Sequence, residues 1–138
     1  MNAQHRIIDV NINRLTEGLR VVEEVVRFEI EDGKLLALIR RIRNRLTRTI
    51  KNYRKALIPF RQSKTDLGRS DRFDKLKRQD LSDVLFANLK RAQESARVLE
   101  EILKIGDAKM AAFFKAIRFS LYDIEKSIAI KITSQKIK

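Results

Sequence analysis

A set of polar residues that could bind and position an anion occurs twice in this chain. Residues 11–24 read NINRLTEGLRVVEE, and residues 88–101 read NLKRAQESARVLEE. Seven of these 14 positions are identical at a shift of 77. The shared pattern N-x-x-R-x-x-E comprises Asn11, Arg14 and Glu17 in the first copy and Asn88, Arg91 and Glu94 in the second. Such an internal repeat predicts two copies of one supersecondary unit.

Helical geometry places part of this polar set on a face that should enter the core. At about 100° per residue, Ile12 and Leu19 belong to one apolar flank, and Val21 belongs to another. Asn11 projects between the flanks, and Arg14 points towards the second. A buried guanidinium without a partner is strongly unfavourable, so each arginine needs a carboxylate, an anion or water.

The two arginines have two alternative partners. One is the glutamate a single turn further along, which is Glu17 for Arg14 and Glu94 for Arg91. The other is an anionic ligand held between the two copies, which we favour because the same residues recur at the same spacing. Gly18 stands beside Arg14, where a second backbone can approach closely.

A further pair of arginines extends the repeat. The segment KLLALIRRIR, which begins at Lys34, overlays KMAAFFKAIR, which begins at Lys109, and this pairs Arg43 with Arg118 at a shift of 75. Four-helix proteins build ligand sites from side chains on facing helices. We therefore expect a set of asparagines and arginines to converge near the axis that relates the copies: Asn11, Arg14, Arg43, Asn88, Arg91 and Arg118.

Each copy also ends in two adjacent glutamates. Neighbouring residues on a helix point about 100° apart, so only one glutamate of each pair can face the site. We expect Glu23 and Glu100 to be solvated, and Glu24 and Glu101 to lie on the side of the site carboxylates.

Four helices are predicted from the periodicity. The first ends near Glu29 before a left-handed Gly33, and the second begins near Lys34 and stops at Pro59. The third runs from Asp80 or Ser82 to Ile105 and is ended by Gly106, and the fourth covers about 108–130, with a frayed tail from Thr133.

These elements predict one all-α domain over residues 1–138. The expected architecture is a four-helix bundle made of two duplicated helical hairpins with pseudo-two-fold symmetry. The first repeat covers about 8–58, a long central loop covers 59–79, and the second repeat covers about 80–130. A swapped or symmetric homodimer, in which hairpins pair between chains, is the alternative arrangement.

The central loop carries Asp66 and Gly68 among several cations. Loops of this length are uncommon in compact domains unless they are functional or disordered. One interpretation is a mobile, solvated linker, and the other is a flexible segment that closes over phosphate groups, although no phosphate-cradling motif is present. A short helical turn around residues 73–77 is also predicted.

The charge favours anionic partners. The formal net charge is +13, from 31 basic and 18 acidic residues. Nucleic acids, phosphorylated metabolites and acidic membrane surfaces all fit this charge. The arginine-rich face of residues 40–55 could contact nucleic acid, but aromatic residues are not interleaved there and no reading motif is present, which makes that partner the weakest of the candidates.

Composition also narrows the chemistry and the location. The chain has no cysteine, no recognisable secretory signal and no apolar run approaching the ~20 residues of a membrane span, so we expect a cytoplasmic protein without a membrane partner. Its single histidine, His5, lies in a terminal segment and is expected to be solvated rather than a metal ligand. Catalysis through a Ser-His-Asp or Cys-His set is excluded.

The motif resembles a known family. Four features carry this resemblance: the pattern N-x-x-R-x-x-E-x-x-R-V-x-E-E, a helix with I-R, a loop with D-x-G, and the segment RQDLSDVLFANLKRAQESARVLEE over 78–101. With these features the chain looks like the helical domain fused in front of thiamine-phosphate synthase in some bacteria. The resemblance covers Ile8 to about Glu125, and the family also occurs as a stand-alone protein. It implies an alternative hydroxymethylpyrimidine phosphate kinase that uses ATP and Mg²⁺.

The resemblance carries motif positions over to this chain, and phosphoryl-transfer chemistry suggests their roles. Catalysis of that reaction is mainly positioning and charge neutralisation. The expected catalytic carboxylates are Asp66, Glu17 and Glu94, with Asp66 also expected to hold Mg²⁺. The expected substrate- and phosphate-binding residues are Asn11, Arg14, Arg43, Gly68, Asn88, Arg91 and Arg118.

The expected partners are a phosphorylated pyrimidine and a nucleotide. One departure from the family is Asn44, where a histidine is expected after the arginine. Because the synthase domain itself is not in this sequence, thiamine phosphate synthesis is not expected from this chain alone. The alternative to a kinase is a non-catalytic helical module that docks on a separate thiamine-phosphate synthase, and a basic nucleic-acid-binding protein is the third hypothesis.

Overall fold

A computed structural model describes residues 2–70 and 77–137. These residues form four long helices and contain no strand: α1 (Asn2–Val25), α2 (Gly33–Leu57), α3 (Leu81–Leu103) and α4 (Ala108–Ile137). The predicted all-α class and the number of helices are therefore confirmed. No helix within the described ranges is long and apolar enough to cross a membrane.

The turn between α1 and α2 differs from the prediction. A π-helical turn, Val26–Ile30, follows α1, and it is closed by Glu31, whose φ of 55° is left-handed. The side chain of Asp32 then accepts hydrogen bonds from the backbone N–H groups of Lys34 and Leu35 and caps α2. The left-handed conformation predicted for Gly33 is wrong, because Gly33 is already the first residue of α2 and Glu31 takes the left-handed conformation instead.

The other helix ends follow local chemistry. α2 ends at Leu57, just before Pro59, and Asp80 caps α3 by accepting from the N–H of Asp83 at 2.8 Å. α3 ends at Leu103, and Gly106 lies in the following turn without a positive φ. α4 continues as a helix to Ile137, beyond the end predicted near residue 130, so the frayed tail expected from Thr133 is wrong.

The described part of the connection between α2 and α3 consists of short 3₁₀ turns. They span Ile58–Phe60, Ser63–Thr65 and Leu67–Arg69. The helical turn predicted around residues 73–77 lies outside the described residues, apart from Lys77.

α1 and α3 form the central pair of the bundle and run in opposite directions. Residues late in α1 and in the turn after it lie beside residues early in α3, since Val25 and Ile30 line one cavity together with Leu81 and Leu85. The core between and around these helices is made of fully buried aliphatic and aromatic side chains, among them Ile12, Leu15, Leu19, Leu85, Leu89, Leu99 and Phe114. Burying one such side chain contributes about 1.5–3 kcal/mol, so this core orients both copies of the polar motif.

α2 and α4 contact each other at three levels. The guanidinium of Arg45 lies 5.5 Å from the centre of the Phe113 ring. At one end, the hydroxyl of Tyr53 donates to Asp107 in the turn before α4. At the other end, Lys131 of α4 lies 3.7 Å from the carboxylate of Asp32. These contacts close the four helices into a bundle.

Candidate anion-binding site

The two copies of the motif face each other across α1 and α3. Gly18 of α1 allows this approach, because a Cβ built there would lie 3.2 Å from the backbone oxygen of Asn88 and 3.6 Å from the Cβ of Ala92. The corresponding position in α3 is Ser95, which is only 3% exposed. Small residues at the crossing therefore bring the two backbones close together and place the polar residues of both copies around one space.

That space is a cavity of about 690 Å³. Its lining contains five pairs of residues that are each 77 positions apart: Asn11 and Asn88, Arg14 and Arg91, Glu17 and Glu94, Gly18 and Ser95, and Val21 and Val98. Gly68, from the last described 3₁₀ turn, completes the lining. The structure thus brings together seven of the predicted site residues.

The two asparagines are held in the same way. The side-chain amide of Asn11 donates to the backbone oxygen of Ile7 at 2.8 Å, and that of Asn88 donates to the backbone oxygen of Val84 at 2.8 Å. Each bond reaches back one turn within its own helix and fixes the amide group. The remaining amide oxygen and N–H of each asparagine are the groups that can orient a ligand in the cavity.

Arg14 presents its charge to the cavity without the expected internal partner. Within the described part of the chain, Arg14 makes no ion pair, so the alternative pairing with Glu17 does not form. Arg91 is also exposed and lines the same cavity. Guanidinium groups suit phosphate recognition because their N–H donors match the phosphate oxygens in a bidentate fashion.

Arg43 and Arg118 do not line this cavity, so the convergence expected for all six side chains is wrong. Arg43 donates from Nη1 to Oε1 of Glu23 at 2.6 Å. Arg118 donates from Nε and Nη2 to Oε1 of Glu100 at 3.2 and 3.0 Å. Each arginine joins the two helices of its own hairpin, α1 to α2 or α3 to α4.

The glutamates in these pairs correct a second prediction. Glu23 and Glu100 are each 4% exposed rather than solvated. Their burial follows from the hairpin packing, because the side of the helix that carries them faces the partner helix rather than water. Glu24 and Glu101, expected to be nearer the site, instead pair with exposed Arg20 and Arg97 at 3.5 and 3.3 Å.

Each buried glutamate is surrounded by several cations. Arg20 and Arg40 lie 4.0 and 3.9 Å from Glu23, in addition to Arg43. Around Glu100, Arg97 and Lys104 lie 3.9 and 3.7 Å away, in addition to Arg118. Two features of the sequence could have indicated these buried ion pairs. Arg43 and Arg118 are equivalent across the repeat, and each copy of the motif ends with an R-x-x-E that contains the buried glutamate. These residues hold the hairpins together rather than contacting the cavity.

The hydroxyl of Tyr122 adds a contact to the second ion pair only. It accepts from Nη1 of Arg118 at 3.2 Å, and the rings of Phe119 and Tyr122 lie 4.9 and 5.8 Å from the guanidinium carbon. The hydrogen bond to Tyr122, followed by that to Glu100, raises the pKa of Arg118 above its usual value. The guanidinium therefore stays charged at every relevant pH.

Asp66 lies beside the cavity but has a structural bond. Its Oδ1 accepts from the N–H of Gly68 at 2.8 Å and caps the last 3₁₀ turn. It lines a neighbouring cavity of about 390 Å³ that also involves Arg14 and Glu17. Among the described residues, no group of three or more His, Cys, Asp or Glu side chains is placed to hold a metal ion. The expected Mg²⁺ at Asp66 would thus depend on substrate phosphates and water for most of its ligands.

A salt bridge that the sequence did not suggest anchors the start of the connection to α1. Arg61 donates from Nε and Nη2 to the two carboxylate oxygens of Asp9, both at 2.8 Å. Asp9 is only 1% exposed, and its carboxylate raises the pKa of Arg61. No periodicity links two residues so far apart in sequence. The bidentate pair fixes the connection to α1 five residues before Arg14.

His5 also differs from the expectation of a solvated side chain. Its ring stacks on Phe60 with 4.3 Å between centroids, and its buried Nδ1 has no hydrogen-bond partner in the described part of the structure. The imidazole therefore packs the connection onto the start of α1.

The architecture and the paired lining define a class of protein: a helical bundle whose described residues form a polar cavity between two similar helices. The model of the ThiD2 family matches residues 6–127, and the chain belongs to this family. The resemblance noted in the sequence is confirmed at this level.

The chain is also similar to part of several longer proteins. It is 41% identical over 122 residues to the thiamine-phosphate synthase of Synechococcus sp. (strain CC9605), which covers 87% of this chain and 34% of the relative. It is 36% identical over 126 residues to the thiamine-phosphate synthase of Thermosynechococcus vestitus, which covers 91% of this chain and 35% of the relative. It is 33% identical over 129 residues to the thiamine-phosphate synthase of Rhodopirellula baltica, which covers 92% of this chain and 34% of the relative. The chain thus spans about a third of the length of these relatives. No solved structure matches it.

Proposed function

We propose that this domain acts in thiamine biosynthesis and transfers the γ-phosphoryl group of ATP to hydroxymethylpyrimidine phosphate. Membership of the ThiD2 family and the similarity to proteins named thiamine-phosphate synthase support the pathway. The cavity between α1 and α3 supports the reaction, since it combines two guanidinium groups, two fixed amides and two carboxylates. That paired lining is the observation on which the proposal depends.

The proposed roles follow from the chemistry of phosphoryl transfer. Arg14 and Arg91 bind the phosphate of the acceptor, and Asn11 and Asn88 orient it through their free amide groups. An oxygen of the acceptor phosphate forms a bond to the γ-phosphorus while the bond to the bridging oxygen of ADP breaks. Catalysis then comes from alignment and charge neutralisation rather than from a covalent intermediate on the protein.

The carboxylates have two proposed roles, which are to bind Mg²⁺ and to accept a proton from the acceptor phosphate. Glu17, Glu94 and Asp66 border the cavity or its neighbour, and they are the proposed catalytic carboxylates. Mg²⁺ bound to the nucleotide would neutralise the transferred group, and one or two of these carboxylates suffice as protein ligands because magnesium keeps several waters. A carboxylate not used in this way would accept a proton from a singly ionised acceptor phosphate.

The same pairs support the finer architecture. We infer that the bundle consists of two copies of one hairpin related by an approximate two-fold axis. Five equivalent pairs in one cavity and the equivalent Glu23–Arg43 and Glu100–Arg118 bonds support this relation. A duplicated site of this kind places two sets of phosphate-binding groups around one space.

The test is ADP release with both substrates and Mg²⁺ present. We expect turnover that depends on the pyrimidine phosphate and is lowered about tenfold or more by Arg14→Gln, because a charge-assisted bond to phosphate is lost. Arg41→Gln, an exposed arginine outside the cavity, is the matched control and should leave turnover unchanged. Turnover no higher than a blank without enzyme, at high protein concentration, would refute the kinase.

A second candidate is supported by the relatives' lengths. Because similar domains form about a third of proteins named thiamine-phosphate synthase, this chain could instead dock on a separate synthase and pass the intermediate to it. Size-exclusion chromatography with a purified synthase should then show co-elution without ATP hydrolysis. Independent elution at micromolar concentrations would exclude this candidate.

A further inference from the structure

A second space lies between α1 and α2, and its lining has a net positive charge. The lining of the central cavity, by contrast, has equal numbers of arginines and glutamates. The groove between α1 and α2 has a volume of about 550 Å³ and is lined by five cations and one carboxylate, which is Glu17. Two of the cations, Arg20 and Arg43, are engaged with Glu23. The other three are Lys51, Arg54 and Lys55, and none of them has an ion pair within residues 2–70 and 77–137.

The three remaining cations share one side of α2. They stand at i, i+3 and i+4, so their side chains are neighbours near the end of the helix. Like charges at these spacings destabilise a helix slightly when nothing neutralises them. An arrangement of closely spaced cations along one groove is therefore suited to an extended polyanion rather than to a single phosphate.

The second hairpin does not repeat this feature. At the shift of 75 that relates α2 to α4, the positions of Lys51, Arg54 and Lys55 are occupied by Lys126, Ala129 and Ile130. The central cavity is lined in equivalent pairs, whereas this groove belongs to the first hairpin alone. This difference in charge between the groove and the central cavity is expected if the two spaces bind ligands of different charge.

The groove and the cavity adjoin. Glu17 lines both of them, and it also lines the small cavity that contains Arg14 and Asp66. At the outer end of the groove, Ile58 is 48% exposed and offers an apolar surface next to the cations. A molecule with a polyphosphate chain and a flat apolar ring would match this sequence of charged and apolar surfaces.

We propose that the groove between α1 and α2 binds the polyphosphate chain of a nucleoside triphosphate, with Lys51, Arg54 and Lys55 as its phosphate ligands. This inference rests on the proposed function and deepens it, because it assigns the donor to the groove and the acceptor to the central cavity. Glu17 then stands where the two sites meet.

The test measures binding rather than turnover. Isothermal titration calorimetry with inorganic tripolyphosphate, and with ATP and Mg²⁺, is done on the whole chain at fixed ionic strength of about 0.15 M. Lys51→Gln/Lys55→Gln should weaken the affinity for both ligands about tenfold or more. Lys115→Gln/Lys126→Gln, which removes the same charge from exposed positions on α4, should weaken it less than about twofold.

Amide NMR spectra of the unmodified chain provide a second measurement that does not depend on a variant. Tripolyphosphate should shift signals from residues 16–20 and 47–58 more than those of α4. Shifts elsewhere, an equal loss of affinity in both double variants, or no binding of either ligand would overturn the assignment of the groove. Binding of tripolyphosphate at the groove without any kinase turnover would support the assignment of the groove and refute the proposed function. Kinase turnover with ligand affinities that Lys51→Gln/Lys55→Gln leaves unchanged would refute the assignment of the groove and support the proposed function.

Discussion

The two hairpins of this protein are alike where they face each other and different where they face outwards. On the inside, equivalent residues line the cavity in pairs, such as Arg14 with Arg91 and Glu17 with Glu94. On the outside, α2 carries Lys51, Arg54 and Lys55, while the equivalent part of α4 carries a single lysine. The difference shows that the repeat is preserved where both hairpins line one space and is lost on the outer helices.

The buried ion pairs show the same contrast in a milder form. In both hairpins a buried glutamate accepts a hydrogen bond from an arginine of the outer helix, which is Arg43 in the first and Arg118 in the second. The side chain of Arg43 is 27% exposed, whereas that of Arg118 is 11% exposed and also contacts the hydroxyl of Tyr122. The equivalent of Tyr122 in α2 is Thr47. Water can therefore reach the first pair more easily than the second.

The largest expected effect comes from breaking these pairs one at a time. Glu100→Gln should lower the free energy of unfolding by about 3–5 kcal/mol, because it leaves the guanidinium of Arg118 buried without a counter-charge. Glu23→Gln should cost less, about 1–3 kcal/mol, because the more exposed Arg43 can be hydrated instead. Unfolding in guanidinium chloride, monitored by circular dichroism, measures both values.

Glu24→Gln is the control for these variants. Glu24 is a neighbouring glutamate with a 40% exposed side chain, and its loss should change stability by less than about 0.5 kcal/mol. Equal losses for Glu23→Gln and Glu100→Gln would contradict the contrast between the hairpins.

A smaller effect is expected at the crossing of α1 and α3. Gly18→Ala gains about 1 kcal/mol of helix propensity, but its Cβ would press on the backbone oxygen of Asn88 at 3.2 Å. Overpacking of this kind costs about 1–3 kcal/mol, so we expect a net loss of about 1 kcal/mol in the free energy of unfolding.

Gly33→Ala separates the crowding from the general effect of replacing a glycine. A Cβ at Gly33 would meet nothing within 4 Å, and we expect a change of less than about 0.5 kcal/mol, measured in the same denaturant titration. A more stable Gly18→Ala variant would show that the two helices can separate without cost.

The smallest effect concerns a hydrogen bond that links the two hairpins, between Tyr53 of α2 and Asp107 in the turn before α4. Asp107 accepts from Tyr53, and this bond is the main reason why the pKa of Asp107 is lowered from 3.8. A carboxylate with a lowered pKa in the folded state stabilises the protein above its ordinary pKa, and this contribution is lost as the pH falls through the folded value. Burial, followed by the bond to Asp107, raises the pKa of Tyr53 to about 12. Its contribution is present below pH 10 and is lost as the pH rises towards 12.

Tyr53→Phe tests both limbs of this pH dependence. The melting temperature of the variant should fall slightly below that of the unmodified protein at neutral pH. The difference should shrink below about pH 4 and again above about pH 10, where the carboxylate or the phenol of the unmodified protein changes its charge. A difference that stays constant across the whole range would show that the hydrogen bond does not couple these groups.

The sequence was sufficient to predict the four helices and several residues that line the central cavity. Periodicity located all four helices because apolar residues at helical spacing must be buried, and the repeat identified Asn11, Arg14, Asn88 and Arg91 because the same polar residues recur at the same spacing. It also suggested that Arg43 and Arg118 are equivalent. The glutamates were assigned wrongly because the 100° rule gives an angle on one helix and does not say what covers that angle.

Only the tertiary structure decided which neighbours cover each face. The bond between Arg61 and Asp9 joins residues 52 positions apart, and no local pattern encodes it. The burial of Glu23 and Glu100 depends on how closely α2 and α4 approach the central helices, and the separation of Arg43 and Arg118 from the cavity follows from that approach. The amino-acid sequence determined the periodic and repeated features, which arise within one helix. Packing between helices determined the partner of each charge, because a charge is stabilised by the group that three-dimensional contact brings to it.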